Sequence, residues 1–139
     1  MRLNHNTKLD LLRSVPLFAG CTDDELVAIS AISDEIDFPE GKRLIVEGQD
    51  AVSEFFVIVE GEARVTRAGA EVRTLGPGDW AGEIALISDS PRGASVTATT
   101  TIVVLVITRG AFGALLRDSP SIAQKVLSSL GARLAADAV

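Results

Sequence analysis

The chain has 139 residues, enough for one domain with a real core, and its 19 acidic against 13 basic residues give a formal net charge of -6. That balance excludes a broad electrostatic grip on nucleic acid or anionic lipid, so any phosphate-bearing ligand has to be held locally. A single cysteine, Cys21, excludes an internal disulfide framework and fits a reducing, cytoplasmic setting. The N-terminal MRLNHNTKLD lacks the apolar stretch of a signal peptide. The longest apolar run, IVVLVI at residues 102–107, is too short to cross a bilayer, so no direct membrane insertion is expected.

Residues 1–39 read as N-terminal helices. A short helix around KLDLLRS is broken by Pro16. Thr22 and Glu25 have the spacing of a capping box, and Leu26, Ile29 and Ile32 then fall near one face. From residue 40 to residue 108 the pattern changes to short β-branched segments punctuated by glycine: KRLIVEG, EFFVIVEG, EARVTRAG, EVRTLGPGD, ASVTATT and TIVVLVIT. Strands at this spacing predict a sandwich or jelly roll, with the unalternating IVVLVI across the middle of the core. Residues 109–139 return to helix: RGAFGALLRD, then a final helix opened by Ser119 and Pro120. Ile122, Val126, Leu130 and Leu134 form an apolar stripe along that final helix.

Inside the strand region lies GEIALISDSPRGASV, residues 82–96, which does not alternate as a strand does. It predicts a short helix beginning at Gly82 and ended by Asp89, Ser90 and Pro91. A helix start there offers unpaired backbone N–H groups to an anion, and Gly82, Gly93 and Ala94 are small enough to let one approach. Arg92 supplies a bidentate fork for two phosphate oxygens. Glu83 repels an anion, and it makes sense only where the ligand also donates a hydroxyl, as a ribose does. The plainer alternative is that Glu83 and Arg92 pair with each other on the surface.

The same stretch resembles the phosphate-binding cassette of the cyclic nucleotide-binding domain family, the type in catabolite activator protein and protein kinase A regulatory subunits. The family pattern Phe-Gly-Glu-Leu/Ile-Ala-Leu, spacer, Pro-Arg-Ala-Ala-Ser/Thr-Val is matched at Gly82, Glu83, Ile84, Ala85, Leu86, Pro91, Arg92, Ala94, Ser95 and Val96. PLFAGCTDDEL is similar to the family's helical lead-in, and FPEGKRLIVEGQDAVSEFFVIVEGEARV to its first four strands, so the likeness runs over residues 9–134. It implies a mainly β fold: an eight-stranded jelly-roll-like β-roll with N-terminal helices, a short cassette helix and two C-terminal helices. It also implies that Glu83 takes the ribose 2′-OH and Arg92 the exocyclic phosphate oxygens. Gly82, Ile84, Ala85 and Ala94 would lend amides or line the pocket. Two positions depart from the pattern: Ala81 replaces phenylalanine, and Gly93 replaces alanine, serine or threonine. The hydroxyl that cGMP-selective members offer guanine is missing at Gly93, which favours cAMP, while Ser95 keeps cGMP open as a second ligand.

By the same resemblance the C-terminal helices swing inward as a lid on binding; Leu86 and either Phe112 or Leu115 are the candidate contacts that transmit the motion. Gly110 and Gly113 lower the rigidity of the penultimate helix. One domain of 1–139 is expected, as a sensor that controls a fused or partner effector outside this chain. No catalytic residue is assigned, and no metal: the one histidine, His5, stands in the N-terminal tail. The acidic helix after Cys21 should raise its thiol pKa and leave it inert. No helix-turn-helix follows within the chain, so alone it is expected not to bind DNA; a dimer through the final helix remains open. The rival function is a ligand-free interaction module that uses the final helix for protein contact.

Overall fold

Eight short strands form two four-stranded antiparallel sheets in the computed structural model. Residues 4–48, 54–82, 86 and 92–137 are described, with side chains to residue 132. The strands are β1 (Asp34–Phe38), β2 (Arg43–Ile45), β3 (Glu54–Glu60), β4 (Ala63–Arg67), β5 (Ala70–Leu75), β6 (Trp80–Ala81), β7 (Ser95–Ala98) and β8 (Ile102–Thr108). One sheet has the order β1-β8-β3-β6, the other β2-β7-β4-β5. Period-two alternation drives the packing: Phe56, Ile58 and Val104 from the first sheet share one core with Val65, Leu75 and Val96 from the second. β8 sits between β1 and β3 and is buried from Ile102 to Ile107, as its unbroken apolar run predicts. Bulges at Val59 in β3 and Val72 in β5 each add a residue to the ladder, shown by the register shifts opposite them.

The helices are α1 (His5–Arg13), α2 (Asp23–Ala31), α3 (Arg109–Asp118) and α4 (Pro120–Asp137), with a 3-10 turn over Pro16–Phe18. Four of these starts have a local cause. Asn4 accepts from the Thr7 N–H at 2.8 Å to open α1, and Pro16 stands at the first position of the 3-10 turn. Thr22 and Glu25 make the expected capping box on α2. The Ser119 carbonyl accepts from the Ile122 and Ala123 amides at 3.1 and 3.2 Å to open α4.

The chain forms two compact units, one from Met1–Ile32 with Gly110–Val139, the other Ser33–Arg109. The helical unit has its own core, in which the Phe18 and Phe112 rings lie 5.9 Å apart at 49° and Leu26, Ile29, Ile122 and Val126 are buried. Glu25 also ties α2 to α4, accepting from Ser121 Oγ at 2.5 Å and pairing with Lys125.

Two strands depart from the expected boundaries. β1 begins at Asp34, inside the segment whose sequence reads as helical to residue 39, and the two residues of β6 do not stand out from their loop in the sequence. β1 is an edge strand, paired only to β8, so Asp34 and Asp37 stay exposed and break the apolar signal. β6 holds two residues, too few to show a period.

Candidate functional site

Gly82 follows β6, and Arg92 lies just before β7. Gly82 has φ +84°, a left-handed backbone that favours glycine. A Cβ on it would stand 2.7 Å from the Glu54 carbonyl oxygen, 2.8 Å from Arg92 Nη1 and 3.1 Å from Ile45 Cδ1. The glycine is therefore what allows the guanidinium to lie against the backbone there. Arg92 Nη2 donates to that same Glu54 carbonyl at 2.7 Å. Burial lowers the Arg92 pKa from its usual value, and the nearby Glu54 opposes that shift.

A cavity of about 270 Å³ opens at this point, lined by Phe38, Lys42, Arg43, Leu44, Ile45, Val46, Glu54, Phe56 and Arg92. It is close to the lower bound, about 300 Å³, for small-molecule sites. Among the described residues, three cationic side chains line it against one acidic one, in a chain whose net charge is -6. Lys42 also lies 5.6 Å from the centroid of the Phe38 ring. An apolar wall with cations at its rim suits a ligand that has a flat apolar part and an anionic group.

The segment after Arg92 is held from outside. The Arg92 carbonyl accepts from the Gly48 N–H at 2.8 Å, and the Gly93 carbonyl from Arg67 Nε at 3.1 Å. Ser95 Oγ accepts from the Glu47 N–H at 2.9 Å. Beyond its chain neighbours, no described residue lies within 4 Å of where a Gly93 Cβ would stand, and Ala94 packs at the edge of the roll's core.

Of the expected ligand residues, Arg92 lines the cavity, Gly82 lies against Arg92, and Gly93, Ala94 and Ser95 follow it in the chain without lining the cavity. Glu83, Ile84 and Ala85, and the helical turn expected after Gly82, lie outside the described residues. Of the switch residues, Leu86 is buried at 3% exposure, Phe112 is buried within the helical unit and Leu115 is half-buried. On α4, Ile122 and Val126 are buried and Leu130 is half-buried, while the Leu134 side chain is outside the described set. His5 is exposed on α1. The Cys21 thiol is pushed up as expected, but burial is the leading cause and Glu25 the second, with Lys125 opposing. Sequence reasoning missed the Glu54 carbonyl, Glu47 and Arg67. A backbone carbonyl carries no sequence signal, and the two charged residues act on segments 48 and 26 residues away.

The model of the family described as "Cyclic nucleotide-binding domain" matches residues 35–119. A cAMP-dependent protein kinase regulatory subunit from Emericella nidulans is 38% identical over 107 residues, covering 76% of this chain and 26% of that protein. A CRP-like cAMP-activated global transcriptional regulator from Mycobacterium tuberculosis is 25% identical over 130 residues, covering 90% of this chain and 58% of that one. The chain therefore spans about a quarter and somewhat over half of these two relatives. Among solved structures, the N-terminal domain of a transcriptional regulator from Streptomyces coelicolor A3(2) superposes with a TM-score of 0.84 at 29% identity. That likeness covers 92% of this chain and 94% of the other.

Proposed function

Because the chain belongs to the cyclic nucleotide-binding domain family, we propose that it is a cAMP-sensing regulatory module of the cytoplasm, not an enzyme, and that it acts on an effector fused to it or met as a partner. The observation that carries this reading is the Arg92 guanidinium, half-buried beside Gly82 at a cavity with three cationic residues in its lining. The cyclic phosphate sits on Arg92 and on the amides around Gly93 and Ala94, while Glu83 takes the ribose 2′-OH. Gly93 offers guanine no hydroxyl, so cAMP is the tighter ligand and cGMP the weaker. The two relatives named for cAMP support the same nucleotide. No helix among the described residues is long and apolar enough to cross a membrane.

Binding is proposed to bias the C-terminal helices, which makes residues 1–139 one working module. Titration calorimetry of the whole chain with cAMP and cGMP tests the reading. Arg92→Ala should weaken cAMP binding by about 2–5 kcal/mol, the usual cost of truncating one partner of a buried charged pair, where each 1.4 kcal/mol is about tenfold. Unchanged affinity in a folded Arg92→Ala protein removes Arg92 from the site. Heat from neither nucleotide with the wild type leaves the ligand-free interaction module in its place.

A further inference from the structure

We infer that Arg67 and Glu47 are positioning residues for the anion site, setting the direction of the backbone N–H groups that follow Arg92. The inference rests on the nucleotide-binding reading above and deepens it.

A trans peptide is planar, so fixing a carbonyl fixes the next N–H in the opposite direction. The Gly48 N–H holds the Arg92 carbonyl at 2.8 Å, which turns the Gly93 N–H away from Gly48. Arg67 Nε holds the Gly93 carbonyl at 3.1 Å, which turns the Ala94 N–H away from Arg67. Two successive amides, those of Gly93 and Ala94, are oriented in this way. Gly93 has no Cβ, and beyond its chain neighbours no atom of the described residues lies within 4 Å of where one would be.

Glu47 braces the brace. Its N–H reaches Ser95 Oγ at 2.9 Å, and its Oε1 accepts from the Ala68 N–H at 2.9 Å. Ala68 and Gly69 form the two-residue β4–β5 turn, with φ values of +52° and +80°. That is the sign pattern of a type I′ hairpin turn, in which alanine is an unfavourable first residue. The carboxylate that anchors the Ala68 amide therefore also steadies the strand end from which Arg67 reaches Gly93. Residues 47 and 48, just after β2, and residue 67, at the end of β4, converge on residues 92–95. None of them needs to touch the ligand.

The test is cAMP titration calorimetry on the whole chain, with a thermal melt of each variant, for Arg67→Met, Arg67→Gln and Glu47→Ala. Arg67→Met removes the donor and the charge, while Arg67→Gln removes the charge and keeps an N–H donor of useful reach. If Arg67 works by aiming Gly93, Met weakens binding on the order of tenfold, the worth of one hydrogen bond to a charged group. Gln retains most of the affinity. Equal losses in Met and Gln mean that Arg67 acts only through its charge, and a lowered melting temperature with unchanged affinity means that it is only structural; either result overturns the inference. Glu47→Ala separates the two accounts by sign. Deleting a carboxylate near an anion site tightens binding if the field alone matters, whereas loss of the brace weakens it; tighter or unchanged binding overturns the role of Glu47. A wild-type chain that binds no cyclic nucleotide fails at the first titration and overturns the proposed function together with this inference.

Discussion

Gly82 and Gly93 are chemically identical and sit in opposite situations. At Gly82 the backbone is left-handed, φ +84°, and an added methyl would meet the Glu54 carbonyl at 2.7 Å and Arg92 Nη1 at 2.8 Å. Gly93 has, beyond its chain neighbours, no described residue within 4 Å of a would-be Cβ and no positive φ. Gly82→Ala is therefore expected to destabilise the chain by about 1–2 kcal/mol from the backbone alone. It should also weaken cAMP binding, because the flexible guanidinium yields before the Glu54 carbonyl does. Gly93→Ala should leave stability near that of the wild type. Urea unfolding and calorimetry on both variants check this, and a Gly82→Ala protein of wild-type stability and affinity contradicts it. This contrast was half legible in the sequence. Gly82 and Arg92 stood out because a small residue and a forked cation at that spacing have a chemical use. The Glu54 carbonyl did not, since backbone atoms look alike at every position, and Glu47 and Arg67 read as ordinary surface charges.

Among elements, α2 shows how one side chain serves two structures. Glu25 Oε1 accepts from the Thr22 N–H at 2.8 Å to close the capping box, and the same carboxylate pairs with Lys125 and Ser121 of α4. Lys125 first, then Ser121 and the Thr22 amide, hold its pKa down at about 2, against an ordinary 4.5. The sign follows directly: the ionised form favours the folded state, so this contribution is complete above about pH 4.5, declines as pH falls, and is lost below about pH 2. Glu25→Gln should consequently be less stable than wild type at pH 7, with the gap closing toward pH 2. Urea titrations of the pair at several pH values test it, and a gap independent of pH would refute the assignment. The box itself was legible, because its spacing is local. The link to α4 was not, as it joins residues 100 positions apart. Similar reasoning covers the sheets: β8 announced itself by an unbroken apolar run, whereas β1 hid behind the carboxylates that an exposed edge tolerates.

For the molecule as a whole, the helical unit draws on both ends of the chain while the β-roll is one continuous segment. Ligand at the roll can bias the C-terminal helices only through a difference in affinity between two states. With cAMP bound, residues 110–134 are expected to gain protection from amide exchange, beyond any gain at residues 82–96. Leu86→Ala should abolish the distant gain while sparing most of the affinity. Leu86 is 3% exposed, so its truncation costs about 2–5 kcal/mol and the comparison belongs at low temperature. Protection confined to residues 82–96 would show a roll that binds without moving its helices. The interleaved arrangement also governs how the protein is born. On a ribosome adding about 5–20 residues per second, α1 and α2 emerge before the β-roll, yet Phe112, Ile122 and Val126 of their shared core follow only several seconds later. The β-roll has all its strands out before then. During that interval Leu12, Leu17 and Phe18 wait without the C-terminal part of the helical unit that buries them in the folded chain.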